Sequence, residues 1–151
     1  MFIVFDLDGT LALNKHREHF VTGPKKDWDA FFDACGGDEP NWPVISVMCA
    51  LTFCRAYAGD GRVWEPNTVE IWSGRTDRVR PITEQWLERS GVPMEFLTRM
   101  RREGDFTADE VLKEQWLQER RPDLVFDDRD KVVAMWRRHG IPCFQVAEGA
   151  F

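Results

Sequence analysis

Met1-Phe2-Ile3-Val4-Phe5-Asp6-Leu7-Asp8-Gly9-Thr10-Leu11-Ala12 begins the chain. The first five residues are an apolar run with the length and composition of a fully buried strand. The run stops at Asp6 and Asp8, followed by Gly9 and Thr10. A buried strand has no structural use for two acids at its exit, because unpaired buried charge is costly or shifts its pKa. A cation or a reacting phosphate offsets that cost. The pair also has a chemical reading. One carboxylate can attack phosphorus and form an aspartyl-phosphate, and the other can protonate the leaving oxygen and then activate water. Gly9 frees the backbone to turn close to a ligand. Thr10 offers a hydroxyl and an N–H to phosphoryl oxygens. Asp8-Gly9 alone would mark only a turn or a cap; the functional reading comes from the whole string after a strand.

The string resembles the first motif of the haloacid dehalogenase (HAD) superfamily of aspartate-nucleophile phosphohydrolases. That resemblance implies a Ser or Thr after the second core strand, a later Lys, and an acidic pair after the fourth strand. All three are present in order: Val69-Glu70-Ile71-Trp72 runs into Ser73-Gly74-Arg75, Lys113 lies in Asp109-Glu110-Val111-Leu112-Lys113-Glu114, and Leu124-Val125-Phe126 runs into Asp127-Asp128-Arg129. From Phe126 to Arg138, then Gly140 and Cys143-Phe144-Gln145-Val146, the chain is similar to the 3′-phosphatase domain of phage polynucleotide kinase-phosphatases. Arg17, Arg99 to Asp105 and the Lys113 helix fit the same domain, and the similarity spans essentially the whole chain. It is weakest over 16–44 and 59–68.

The resemblance implies roles. Asp6 is the nucleophile, and Asp8 is the general acid and then the base. Mg²⁺ is held by Asp6, by Asp8 through its backbone carbonyl, and by Asp127. Asp128 either binds through water or holds Lys113. Lys113 neutralises charge beside Asp6. Thr10, Ser73 and the Gly74 N–H donate to the phosphate. Arg75, directly after Ser73-Gly74, and Arg17, in the following segment, are substrate-phosphate contacts, since arginine offers a planar fork to such groups. Asp109, one turn before Lys113, either orients that lysine or forms an i, i+4 surface pair with it.

Strands and helices alternate along the chain, which predicts an α/β, three-layer, Rossmann-like HAD fold. It has a five-stranded parallel sheet with helices on both faces. The strands are expected over 1–6, 69–72, 94–97, 124–126 and 143–146. Helices are expected over 44–58, 78–90, from a Thr107 cap to about 120, and over 131–139. Gly59-Asp60-Gly61 ends the first of these helices. Residues 14–42 read as a small cap insert with one short helix near 27–34. Its basic and aromatic residues suit a nucleotide, although Phe31 and Phe32 read as the cap's own core and His16 and His19 as surface residues. In such sheets the carboxyl ends of the strands carry the ligand, and Asp6, Asp8, Ser73, Asp127 and Asp128 all follow one.

The chain has 151 residues, seven Trp, eleven Phe and a net charge of -6. That is enough for one domain over 1–151 with a substantial core, and it excludes disorder. The acidic balance argues against holding a long duplex but allows a strand end or a mononucleotide. Cys35, Cys49, Cys54 and Cys143 have neither C-x-x-C spacing nor a histidine partner, which reads as reduced thiols. No membrane span or signal peptide is visible, so a cytoplasmic location is expected. No Gly-x-x-x-x-Gly-Lys-Ser/Thr loop occurs, so the kinase half of the family's two-domain enzyme is expected to be missing. The expected function is an Mg²⁺-dependent 3′-phosphatase acting on nucleic-acid ends or 3′-nucleotides. It would work beside a separate kinase or ligase of the same repair pathway. A 5′-mononucleotide phosphatase and a non-catalytic HAD-fold binding protein are the alternatives.

Overall fold

In the computed structural model, residues 1–53 and 66–149 are described. The elements are β1 (Phe2–Phe5), β2 (Ala12–Leu13), α1 (His19–Thr22), α2 (Trp28–Asp33), β3 (Glu39–Pro40), α3 (Trp42–Phe53), β4 (Thr68–Thr76), α4 (Arg80–Arg89), β5 (Leu97–Arg101), α5 (Asp109–Glu119), β6 (Leu124–Arg129), α6 (Asp130–Arg138) and β7 (Cys143–Gly149). Five strands form one parallel sheet in the order β5-β4-β1-β6-β7, with β1 at its centre. The expected α/β architecture is therefore present.

The central strand is buried on both faces. Ile3 and Phe5 enter one core with Leu11, Met48, Ile71, Trp86 and Leu87. Val4 enters the other with Trp72, Leu112, Trp116, Val133 and Trp136. Alternate residues of a strand point to opposite faces, so a continuous apolar run is what a strand covered by helices on both sides requires. Between β1 and α3, β2 and β3 pair antiparallel, and α1 and α2 lie between them in sequence. Asp27 caps α2 by accepting from the Ala30 N–H. Phe31 is buried, but Phe32, expected in the cap's own core, packs on the main core.

Several boundaries differ from expectation. β4 does not stop at Trp72 but continues through Ser73 to Thr76 alongside β5, and β6 continues through Asp127 and Asp128 alongside β7. The polar residues are thus the last residues of the strands, because ladder pairing persists past the end of the apolar run. The third sheet strand is Leu97–Arg101, and Met94–Phe96 is a 3₁₀ turn before it. This is an edge strand whose Arg99 and Arg101 hide it from an apolar-run criterion. Thr107 does not cap α5: Ala108 holds that position, and the Thr107 N–H donates to Asp105 Oδ1. The expected helix over 44–58 begins at Trp42, and its far end, Cys54 and Gly59-Asp60-Gly61 lie outside the described residues. Cys35, Cys49 and Cys143 are free thiols. Among the described residues no helix is long and apolar enough to cross a membrane.

Candidate active site

β1 delivers Asp6 to the carboxyl edge of the sheet, where its N–H donates to Phe126 O of β6 at 2.9 Å. The chain then doubles back. The Leu11 and Ala12 N–H groups donate to Leu7 O, and the Gly9 N–H donates to Ala12 O. Gly9 takes φ +86°, and a Cβ there would lie 2.1 Å from Asp128 Oδ2. Glycine is required at this position both by the turn and by the close approach of the first loop to the end of β6.

This approach gathers acids. Asp6, Asp127 and Asp128 are buried, and each has an oxygen within 4.8 Å of the others. Lys113, buried on α5, donates to Asp6 Oδ1 at 2.6 Å and to Asp127 Oδ2 at 2.8 Å. Lys113 does not bond Asp128 here; Asp128 instead accepts from the Thr10 hydroxyl at 3.3 Å. Burial raises the Asp6 pKa well above the carboxylate range; Lys113 opposes the shift, while Asp127 and Asp128 reinforce it. Burial and the neighbouring Asp127 push Asp128 to about 7. Burial would lower the Lys113 pKa, but Asp127 and Asp6 outweigh it and hold the ammonium charged. The three converging carboxylates outnumber the cations that act on them, Lys113 by hydrogen bonds and Arg129 at longer range, so the cluster has formal negative charge in surplus. An all-oxygen donor set with that surplus fits a hard divalent cation. Asp8 is not part of this cluster through its side chain.

Asp8 faces a second cluster. Its Oδ1 accepts from Arg17 Nη2 at 2.5 Å and from Arg75 Nε and Nη2 at 2.9 and 2.6 Å. Asp38, just before β3, accepts from the same two arginines: Arg17 Nε and Nη2 at 2.7 Å each, and Arg75 Nη2 at 2.6 Å. Arg17 Nη1 donates to Phe31 O and Arg75 Nη1 to the Thr83 hydroxyl. Burial alone would raise the Asp8 pKa; Arg75 and Arg17 overcome it and bring it down to about 2. Both arginines are fully buried. In this structure Arg17 and Arg75, the two expected phosphate contacts, bond Asp8 and Asp38, because two desolvated guanidinium groups need buried carboxylates. His16 is an exposed residue, as expected, and its Nε2 lies 2.9 Å from Asp38 Oδ1.

Ser73 is fully buried at the end of β4, and its Oγ accepts from the Arg75 N–H at 3.2 Å. A Cβ on Gly74 would lie 2.5 Å from Asp109 Oδ1, so glycine there lets the α5 start approach β4. Asp109 accepts from Arg101 Nη2 at 2.5 Å and Arg129 Nη1 at 2.9 Å. Burial would raise its pKa, but Arg129, Lys113 and Arg101 hold it down. Neither expected bond of Asp109 to Lys113 is made; Asp109 joins the ends of β5 and β6. Asp38, Arg101 and Arg129 were not foreseen. Asp38 follows Gly36-Gly37 in the insert, where an acid carries no signal until the chain folds back onto Arg17 and Arg75.

Residues 1–151 match the family model of the polynucleotide kinase PNKP phosphatase domain. A structure of the Pnkp1/Rnl/Hen1 RNA repair complex contains a chain that is 27% identical, with a TM-score of 0.76; the match covers 99% of this chain and 43% of that one. In another structure of the Pnkp1/Rnl/Hen1 complex the identity is 29% and the TM-score 0.75, over 99% of this chain and 46% of that one. This chain thus spans less than half the length of those relatives. The HAD-like hydrolase SP0104 from Streptococcus pneumoniae shares the fold at 13% identity and a TM-score of 0.56, over 95% of this chain and 83% of that one.

Proposed function

Since the chain belongs to the HAD-like family of polynucleotide kinase PNKP phosphatase domains, we propose that it removes a 3′-phosphate from nucleic-acid ends or 3′-nucleotides. The observation that supports this reading most strongly is the pairing of Asp6, held by Lys113 beside Asp127 and Asp128, with Asp8 two residues on in a separate arginine clamp. One carboxylate is placed for attack and the other for proton transfer.

In this reading an Asp6 carboxylate oxygen attacks phosphorus, forming the Asp6–phosphorus ester as the phosphorus–oxygen bond to the 3′-oxygen breaks. Asp8 gives that oxygen its proton. Asp8 then takes a proton from the water that attacks the aspartyl-phosphate, and inorganic phosphate leaves. Asp8 is ionised at neutral pH as it stands. An incoming phosphate dianion raises its pKa, which is the direction proton donation needs. Asp6, Asp127, Asp128 and the Asp8 carbonyl would hold Mg²⁺, which when bound screens the phosphate charge from the nucleophile. Lys113 orients Asp6 and opposes the rise that burial imposes on its pKa. Thr10, Ser73 and the Gly74 N–H lie beside these groups as phosphate donors. Arg17 and Arg75 serve by holding Asp8 rather than by touching the phosphate.

The acidic chain, net charge -6, is suited to short substrates and a shallow salt dependence. Because the relatives come from an RNA repair assembly, a ligase of such an assembly is the proposed partner. The test is hydrolysis of 3′-phosphorylated oligonucleotides, 3′-mononucleotides and 5′-mononucleotides, with Mg²⁺ and with excess EDTA. The expected result is Mg²⁺-dependent release from the 3′-phosphates. Release from 5′-mononucleotides alone would overturn the specificity and keep the chemistry, and binding without turnover would make the protein a non-catalytic module.

A further inference from the structure

We infer that Phe106 is a stacking platform for the base of the nucleotide whose phosphate enters the site, an inference that rests on the proposed function above. Phe106 is 91% exposed, more than any other large apolar side chain among the described residues. A single exposed apolar residue is ordinary in itself. What sets this one apart is how its backbone is held. Arg101 Nη1 donates to Thr107 O at 2.5 Å and to Asp105 O at 3.3 Å, so one guanidinium grips the carbonyls on both sides of Phe106. The Thr107 N–H donates to Asp105 Oδ1, the Asp105 N–H to Arg102 O, and Gly104 makes the preceding turn at φ +78°. The ring thus stands in solvent on a tethered tip, and ordering that tip adds little cost when a ligand arrives.

The same guanidinium joins the tip to the site. Arg101 Nε donates to Gly74 O at 2.9 Å, directly after Ser73, and Nη2 donates to Asp109. On the other side, the Glu103 N–H donates to Asp77 Oδ1, and Arg78 reaches Asp33 at 2.7 Å and Glu103 at 4.0 Å, tying the loop to α2. The loop therefore rises from the carboxyl ends of β4 and β5, on the same edge of the sheet as the acid cluster. Its chemistry selects which part of the substrate it meets. Glu103 and Asp105 precede Phe106 and are offset in charge by Arg102, which is exposed beside them, and by Arg101, which is committed to carbonyls and Asp109. An aromatic face on a tip with balanced charge suits a neutral base, of either DNA or RNA, and accepts every base because each has a π-face.

The test uses the full chain with Mg²⁺ and two oligonucleotides. One ends in an ordinary 3′-phosphorylated nucleotide, the other in the same 3′-phosphate on an abasic residue. Wild type is expected to prefer the base-bearing end by about 5- to 150-fold in kcat/KM, the range that base–aromatic stacking supplies. The preference should appear mainly in KM. Phe106→Ala should collapse the ratio to near one, and Phe106→Trp should restore it. Equal wild-type turnover of the two ends, or a ratio that Phe106→Ala leaves intact, overturns the stacking role and leaves the 3′-phosphatase reading standing. Wild-type failure on both ends while a 5′-mononucleotide is hydrolysed overturns the functional reading, and this inference with it.

Discussion

Asp6 and Asp8 stand two residues apart on one turn, and their surroundings drive them in opposite directions. Asp6 lies among Asp127 and Asp128 with Lys113 as its hydrogen-bonding cation, and its pKa is raised. Asp8 lies between Arg17 and Arg75 with Asp38 as the second acid, and its pKa falls to about 2. One cluster carries surplus negative charge and stores it; the other is balanced. A surplus that burial makes costly is a binding site for a cation, whereas a balanced cluster is a rigid mount. Two like side chains on one loop thereby acquire different tasks.

The largest effects should come from the two acids themselves. Asp6→Asn should abolish turnover, yet leave the metal-free protein at least as stable, because it removes a carboxyl whose ionised form burial, Asp127 and Asp128 disfavour. Steady-state kinetics with thermal melting checks both halves. Asp8→Asn should slow turnover by about 10²- to 10⁴-fold, the usual worth of a positioned acid–base group. In contrast to Asp6→Asn it should also lower the melting temperature, since it takes charge out of a balanced network. If both variants moved stability in the same direction, the contrast between the clusters would be wrong.

Arg17→Ala and Arg75→Ala break the mount. Each removes one partner of a buried ion pair, with an expected cost of about 3–5 kcal/mol in denaturant unfolding. Because these arginines touch Asp8, kcat/KM should fall by the same factor on a nucleotide and on p-nitrophenyl phosphate. A loss confined to nucleotides would assign them to the substrate instead.

The pH response should also separate the clusters. Asp128 at about 7 binds its proton more tightly in the folded state than in the unfolded one. Its contribution to the metal-free protein is present below pH 4 and is lost as pH rises through about 7. Mg²⁺ should therefore raise the melting temperature more at pH 8 than at pH 5, and an equal shift at both would count against the acid cluster as its site. The smallest expected effect lies at low pH. The depressed pKa of Asp8 gives stability that is full above pH 4 and is lost as pH falls toward 2. Acid titration of Asp8→Asn should lack this final step.

The architecture was legible because apolar runs and their breaks are local. Met1–Phe5 could only be a strand covered on both faces, and the acids after it could only mark its carboxyl end. Asp6, Ser73, Lys113, Asp127 and Asp128 were legible as a set because four motifs occur in one order. The expected strand over Met94–Leu97 lies at Leu97–Arg101 instead, because an edge strand need not be apolar, and Arg99 and Arg101 are two of its five residues. Phe106 drew no attention, since a phenylalanine in a loop has no periodicity that shows whether it is buried.

By itself, then, the sequence determined which elements form, their parallel order of function along the sheet edge, and which residue types can do phosphoryl chemistry there. Only the tertiary structure decided which charge meets which. Arg17 and Arg75 could be read as phosphate forks until Asp38, brought back by the β2–β3 pair, and Asp8 took up their donors. Asp109 could be read as Lys113's partner until Arg101 and Arg129 closed on it from two different strands. Strand and helix formation depends on neighbours in sequence, but ion pairing in a buried site depends on distance and desolvation, and those are fixed only when residues far apart in the chain are packed together.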